Sequence, residues 1–250
     1  MSTVANPGTA KVGSRFVPAF VTFMAVSAAM VLVQFATAPR EWHRWEFLGL
    51  ALAGAISSRL KVKLPGLNGN MSVNLPFIFI AMTRLGMGEA LVVAGVSVFV
   101  QSIPKAPHKF VPVHALFNIS TALVAAGLGW DTFHLGLAAH WNLEAALVLA
   151  CASHFLASIV PVAVIISLVE NRPAFRTWSD IFDLSFPYYL ASTGLTSIMA
   201  GVGVHANWAT LVGIACVMFV TYRCYRRYFT AMQNSQLAQP ALAKAAAAAK

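Results

Sequence analysis

Four hydrogen-bonding side chains stand on alternate residues in the first third of the chain. They are Asn68, Asn70, Ser72 and Asn74, within LPGLNGNMSVNLPFIF (64–79). A period of two belongs to extended backbone, whereas a helix requires 3.6. Amides and hydroxyls without a nucleophile–base pair bind rather than react, donating to and accepting from a ligand or one another. Other polar groups recur at helical spacing: Ser97 with Gln101, His114 with Asn118 and Thr121, and Tyr188 with Ser192 and Thr196. The expected ligand-binding set is Asn68, Asn70, Ser72, Asn74, Gln101, His114, Asn118 and Tyr188. The competing use of the same groups is hydrogen bonding between helices.

Catalytic chemistry is not expected. The 8 acids fall at the ends of apolar runs or between them, leaving no carboxylate pair at membrane depth for acid–base work or a proton relay. No GxxxxGK[ST], HExxH or G-x-S-x-G motif occurs. Of 7 histidines, only His114 and His154 lie in apolar runs. Their expected depths differ by about 20 Å, which argues against bis-histidine haem. The other histidines read as solvated loop residues, and the 3 cysteines form no C-x-x-C pair and read as packing residues. No enzyme activity, metal or cofactor is expected.

The elements that hold these groups must be membrane helices. The chain of 250 residues is 58% hydrophobic and 10% charged, with mean hydropathy +0.71. A soluble domain carries about 25% charged residues, too many more for this chain to cover a soluble surface. The expected fold class is all-α, a polytopic membrane helix bundle of about eight transmembrane spans. The spans are expected near 16–38, 46–60, 71–84, 88–103, 113–130, 143–169, 184–204 and 207–224. The first apolar run is longer than a signal-peptide core, so it reads as a span. Residues 71–103 read as two spans or as a re-entrant pair; either returns the chain to the same side.

The third span is expected to be interrupted, extended near residues 70–75 and helical from about Pro76 to Arg84. Proline suits a first helical turn, and such a segment reaches roughly 33 Å, just enough to cross. Non-helical backbone at that depth needs protein or a water-filled cavity beside it. Pro161 is expected to kink the sixth span.

Loop charges fix the expected orientation. Lys11, Arg15, Arg59, Lys61, Lys63, Lys105, Lys109, Arg172, Arg176, Arg223, Arg226 and Arg227 fall on one side, against Arg40, Arg44 and Arg84 on the other. The positive-inside rule makes the first side cytoplasmic, with both termini there. The net charge of +9 is therefore an orientation signal, and nucleic acid is not an expected partner. Residues 1–229 read as a single transmembrane domain and 230–250 as a low-complexity, Ala-rich cytoplasmic tail. Tyr222, Tyr225 and Tyr228 recur every third residue at the last exit, as an interfacial belt does.

The run LPGLNGNMSVNLPFIFIAMTRLGMGEALVVAGVSVFVQS, its basic linker and HALFNIS resemble the multi-pass N-terminal membrane sensor region found ahead of bacterial HD-GYP or GGDEF signalling domains. The likeness covers about residues 45–130, and YRCYRRYF is similar to the linker that leads into such domains. No output domain is expected with these 250 residues, so the family's enzyme activity is not expected to carry over. The resemblance implies a non-enzymatic sensor or ligand-binding protein of a bacterial plasma (inner) membrane. The implied partners are the lipid bilayer, a small-molecule ligand, a separate cytoplasmic signalling protein and a second copy of the chain. Residues 64–103 also resemble, more faintly, the substrate-binding membrane subunits of energy-coupling-factor vitamin transporters, so the alternative is a small-solute transporter or such a subunit.

Overall fold

The first eight residues of LPFIFIAMTR are all apolar, and a helix apolar all round must be covered on every side by protein or lipid. In the computed structural model this ten-residue helix is buried among its neighbours. The structure describes residues 9–37, 44–63, 70–104, 109–201, 212–214 and 216–231. In chain order the elements are α1 (Thr9–Thr37), α2 (Arg44–Ser57), β1 (Lys61–Lys63), β2 (Asn70–Ser72), α3 (Leu75–Arg84), α4 (Met87–Ser102), α5 (Pro112–Ala138), α6 (Leu143–Glu170) and α7 (Ala174–Gly201). A further helix, α8, covers 216–231. Among the described residues the regular structure is helical apart from β1 and β2, which pair antiparallel with Lys61 opposite Ser72 and Lys63 opposite Asn70.

Every residue of α3 from Leu75 to Met82 is buried. Its neighbours are α2, α4, α5 and α7. At 1.5 Å per residue α3 is about 15 Å long, half the hydrocarbon thickness of a bilayer. A helix that short, shut inside the bundle, must have its end groups satisfied by protein. At its start, the Leu75 N–H donates to the Tyr188 hydroxyl of α7 at 3.0 Å. At its finish, the Trp130 indole N–H of α5 donates to the Leu85 carbonyl at 3.2 Å. The β1–β2 pair joins α2 to α3, and Leu85 and Gly86 join α3 to α4, so α2, α3 and α4 run up, down and up in sequence.

Contacts at the two ends confirm that order. Near the start of α3, Arg59 after α2 donates from one guanidinium nitrogen to the Val100 and Ile103 carbonyls, at 3.2 and 3.0 Å. Those carbonyls lie at the C-terminus of α4, where a cation is favoured. At the other end, Arg84 meets Glu46 of α2 at 2.6 Å. There the buried Glu89 carboxylate also accepts from the Gly86 N–H in the first turn of α4.

The outer helices close on small residues, as membrane helices do. Gly136 of α5 faces Ala146 of α6, Gly127 of α5 faces Val31 of α1, and Gly88 of α4 lies under the Phe35 ring of α1. Gly129 of α5 opens the space filled by Met82 of α3 and His154 of α6.

Among the described residues, three helices are long and apolar enough to cross a membrane: Arg15–Ala36, Pro112–Ala138 and Leu143–Glu170. α2, α3 and α4 are apolar but shorter. Residues 71–84 form a three-residue strand end and a half-length helix rather than a full-length helix. The extended lead-in expected near 70–75 is observed over 70–72, and the helix begins one residue before Pro76. Several boundaries differ from those read in the sequence. α1 begins at Thr9 rather than near 16, and α8 runs to 231 rather than 224. α5 continues to Ala138, and α7 begins ten residues earlier than expected, at Ala174. The polar Ser179, Asp180 and Asp183 suggested a loop, but Phe175, Trp178, Phe182 and Phe186 stack along one side of α7 and carry it up to Pro187. α6 runs unbroken through Pro161. Residues 1–8 and 232–250, including most of the expected tail, lie outside the described residues.

Candidate ligand-binding site

Three of the expected binding residues converge where β2 turns into α3. Ser72 Oγ lies 2.7 Å from Asn74 Oδ1 and 2.9 Å from the Gln101 side-chain oxygen. A hydroxyl has one proton and cannot donate to both. One amide is therefore turned by 180°, with its nitrogen donating to Ser72, an exchange that leaves its shape unchanged. Whichever turns, Asn74 keeps one amide atom without a hydrogen-bond partner among the described residues. Asn74 is 6% exposed, and a buried polar atom left unpaired costs about 1–3 kcal/mol.

Asn74 occupies the N-cap position of α3 but does not cap it with its side chain. Its backbone carbonyl takes the Phe77 and Ile78 N–H groups, while its amide faces Ser72 and Gln101. The capping task at Leu75 falls to Tyr188 instead. Tyr188, Ser192 and Thr196 line one buried face of α7, as their spacing predicts, and the two hydroxyls bond back to carbonyls one turn earlier. One turn from Gln101 on α4, Ser97 is fully buried against Gly54 of α2, and its hydroxyl has no partner among the described residues. The same holds for the buried Thr121 hydroxyl on α5.

Not every expected residue joins this group. Asn68 lies outside the described residues, and of Asn70 only the backbone, paired with Lys63, is described. His114 and Asn118 are exposed on α5 and stand outside the cluster. Ala115 and Phe117 are the residues buried beside them. The wall opposite α4 is supplied by α7 through Tyr188.

A second polar line, which the sequence reading did not assemble, joins α6 to α7. Tyr189 hydroxyl lies 2.6 Å from Ser158 Oγ and 3.4 Å from His154 Nδ1. Thr193 donates to Cys151 Sγ at 2.7 Å. The edge of His154 meets Phe79 of α3, ring centres 5.2 Å apart. Cys151, His154, Phe155 and Ser158 fall at i, i+3, i+4 and i+7, a signal that marks this face on α6. Adjacent tyrosines on α7 thus diverge, Tyr188 to the start of α3 and Tyr189 to α6. Tyr188 also meets the Tyr225 ring of α8 edge-on, centres 6.5 Å apart.

Among the described residues, no group of three His, Cys, Asp or Glu side chains is placed to hold a metal ion. Surface clefts elsewhere among the described residues include two. One, of about 240 Å³, is apolar and lies between α1, α4 and α5; the other, of about 440 Å³, is lined by Arg223, Arg226, Arg227, Thr230 and Ala231. Comparison with known proteins finds no matching family model, no similar curated protein and no similar solved structure.

Proposed function

We propose that this chain is a non-enzymatic sensor or ligand-binding protein of a bacterial plasma membrane. The Ser72–Asn74–Gln101–Tyr188 cluster receives a small molecule with a hydrogen-bonding head. One observation carries the reading: a buried amide with an unpaired polar atom adjoins a backbone N–H held only by a tyrosine hydroxyl from another helix. A ligand head that pairs with Asn74 and takes over the Leu75 N–H releases Tyr188. Tyr188 touches Tyr225, so its release loosens α7 against α8. The event at the buried cluster is thereby relayed to α8, and a separate signalling protein would read the change in that helix. A ligand shifts such an equilibrium only by its differential affinity for the two arrangements, and the Leu75 N–H bond is what differs between them.

Native mass spectrometry of the full chain purified from its membranes tests this. The expected result is a bound small molecule that raises thermal stability in the wild type and fails to do so in Asn74→Ala. Absence of any bound molecule, together with no stabilisation by a metabolite or lipid extract, overturns the reading. Flux of the bound molecule across vesicles would replace sensing by transport.

A further inference from the structure

Arg223, Arg226, Arg227 and Thr230 fall at i, i+3, i+4 and i+7 of α8, so one helix face carries three guanidinium groups and a hydroxyl. All four are exposed and line the cleft of about 440 Å³. The opposite face is anchored: Phe229 is buried with Phe155 and Ile181, and Tyr222 and Tyr225 pack against the same cluster. The arginines are thus presented outward by a docked helix. Among the described residues they form no ion pair; Arg226 makes only a long contact of 3.5 Å to the Tyr222 hydroxyl. No acidic residue occurs anywhere after Asp183, so the whole C-terminal stretch offers them no internal counter-ion.

Their height along α8 indicates which anion they meet. Val217, Phe219 and Val220 are exposed and apolar, as lipid-facing residues are. Arg223 to Arg227 follow at about 5–10 Å farther along the axis. The headgroup layer on each side of the hydrocarbon is itself about 5–8 Å thick. The arginines therefore stand at the level of lipid phosphates, flanked by Tyr222 and Tyr228, whose rings suit that boundary. Guanidinium groups pair with phosphate oxygens through two parallel N–H donors.

We propose that the Arg223–Arg226–Arg227–Thr230 face of α8 is a binding site for the phosphate of an anionic phospholipid headgroup. The test uses the full chain in detergent, titrated with phosphatidylglycerol or phosphatidylcholine of the same acyl chains and read by native mass spectrometry. Each interfacial arginine is worth about fivefold in partition, so the wild type is expected to retain phosphatidylglycerol on the order of 100-fold more strongly. Arg223→Gln, Arg226→Gln and Arg227→Gln together should remove most of that preference. Lys61→Gln with Lys63→Gln, elsewhere on the chain, should leave it intact. Because Tyr222, Tyr225 and Phe229 anchor the other face, helicity by circular dichroism should be unchanged. If the triple variant does lose helicity, Arg226→Lys with Arg227→Lys replaces it. That pair keeps the charge but not the paired donors, and it should still weaken retention. An equal preference in wild type and arginine variants overturns the proposal. So does equal loss in the lysine control, or displacement of lipid by inorganic phosphate at matched concentration, which would make the site one for a soluble anion. Loss of a copurifying protein from the arginine variants with lipid retention unchanged would assign the face to a protein partner and likewise overturn it.

Discussion

Tyr188→Phe removes one oxygen atom and keeps the ring. That oxygen accepts the Leu75 N–H at 3.0 Å, and Leu75 is 4% exposed, so no solvent replaces it. The ring still fills its place, so no large cavity adds to the cost. What remains is a buried backbone donor without an acceptor, worth about 1–3 kcal/mol. For a chain of this size that corresponds to a fall in Tm of about 2–4 °C for each kcal/mol. Thiol labelling during a thermal ramp provides the assay. With the exposed Cys216 and Cys224 changed to Ser, the half-buried Cys151, bonded to Thr193 of α7, becomes the reporter. It reacts when α7 parts from α6. Tyr228→Phe, on a residue 60% exposed, is the matched control and should leave the midpoint in place. If Tyr188→Phe labels at the same temperature as Tyr228→Phe, the hydroxyl does not hold the start of α3 and the capping argument fails.

Two further outcomes follow from the packing. Ser72→Ala and Gln101→Ala should not add: the second change costs less once the first is present, with a coupling of about 1 kcal/mol in a double-mutant cycle on the same labelling assay. Strict additivity would mean that the 2.9 Å contact carries no energy. Gly88→Ala drives a methyl group into the Phe35 ring and should destabilise by about 1–3 kcal/mol; Phe35→Ala in the same chain should restore part of the loss, and failure to do so would place the strain elsewhere.

The period-two polar string and Pro76 were enough to read an extended lead-in followed by a helix, because both signals are local. The depth of α3 was partly legible too, since a helix apolar on all sides must be covered by something. What covers it was not. The contact that fixes its start joins residues 113 apart, and no periodicity carries information across that distance. The spacing of His114, Asn118 and Thr121 marks one helix face, but helix rotation is set by packing, and Thr121 alone of the three is buried. Small and aromatic residues such as Ala115, Phe117 and Ala126 face the bundle and leave His114 and Asn118 outside. The start of α7 is masked in the sequence by Asp180 and Asp183, which read as loop residues, while the ladder of Phe175, Trp178, Phe182 and Phe186 is what holds the helix. The Tyr189–Ser158–His154 line needed both helices in place before it could be seen.

The span of 113 residues between Leu75 and Tyr188 also orders events in time. Ribosomes add roughly 5–20 residues per second, so α3 waits about 6–20 s after leaving the ribosome before its cap exists. During that interval a half-length helix and its extended lead-in have open amide groups that the insertion machinery must shelter. α3 thus enters its final place late, drawn in by a helix made long after it. A nascent chain arrested before residue 188 should leave the lead-in accessible to protease, and one arrested well beyond it should not.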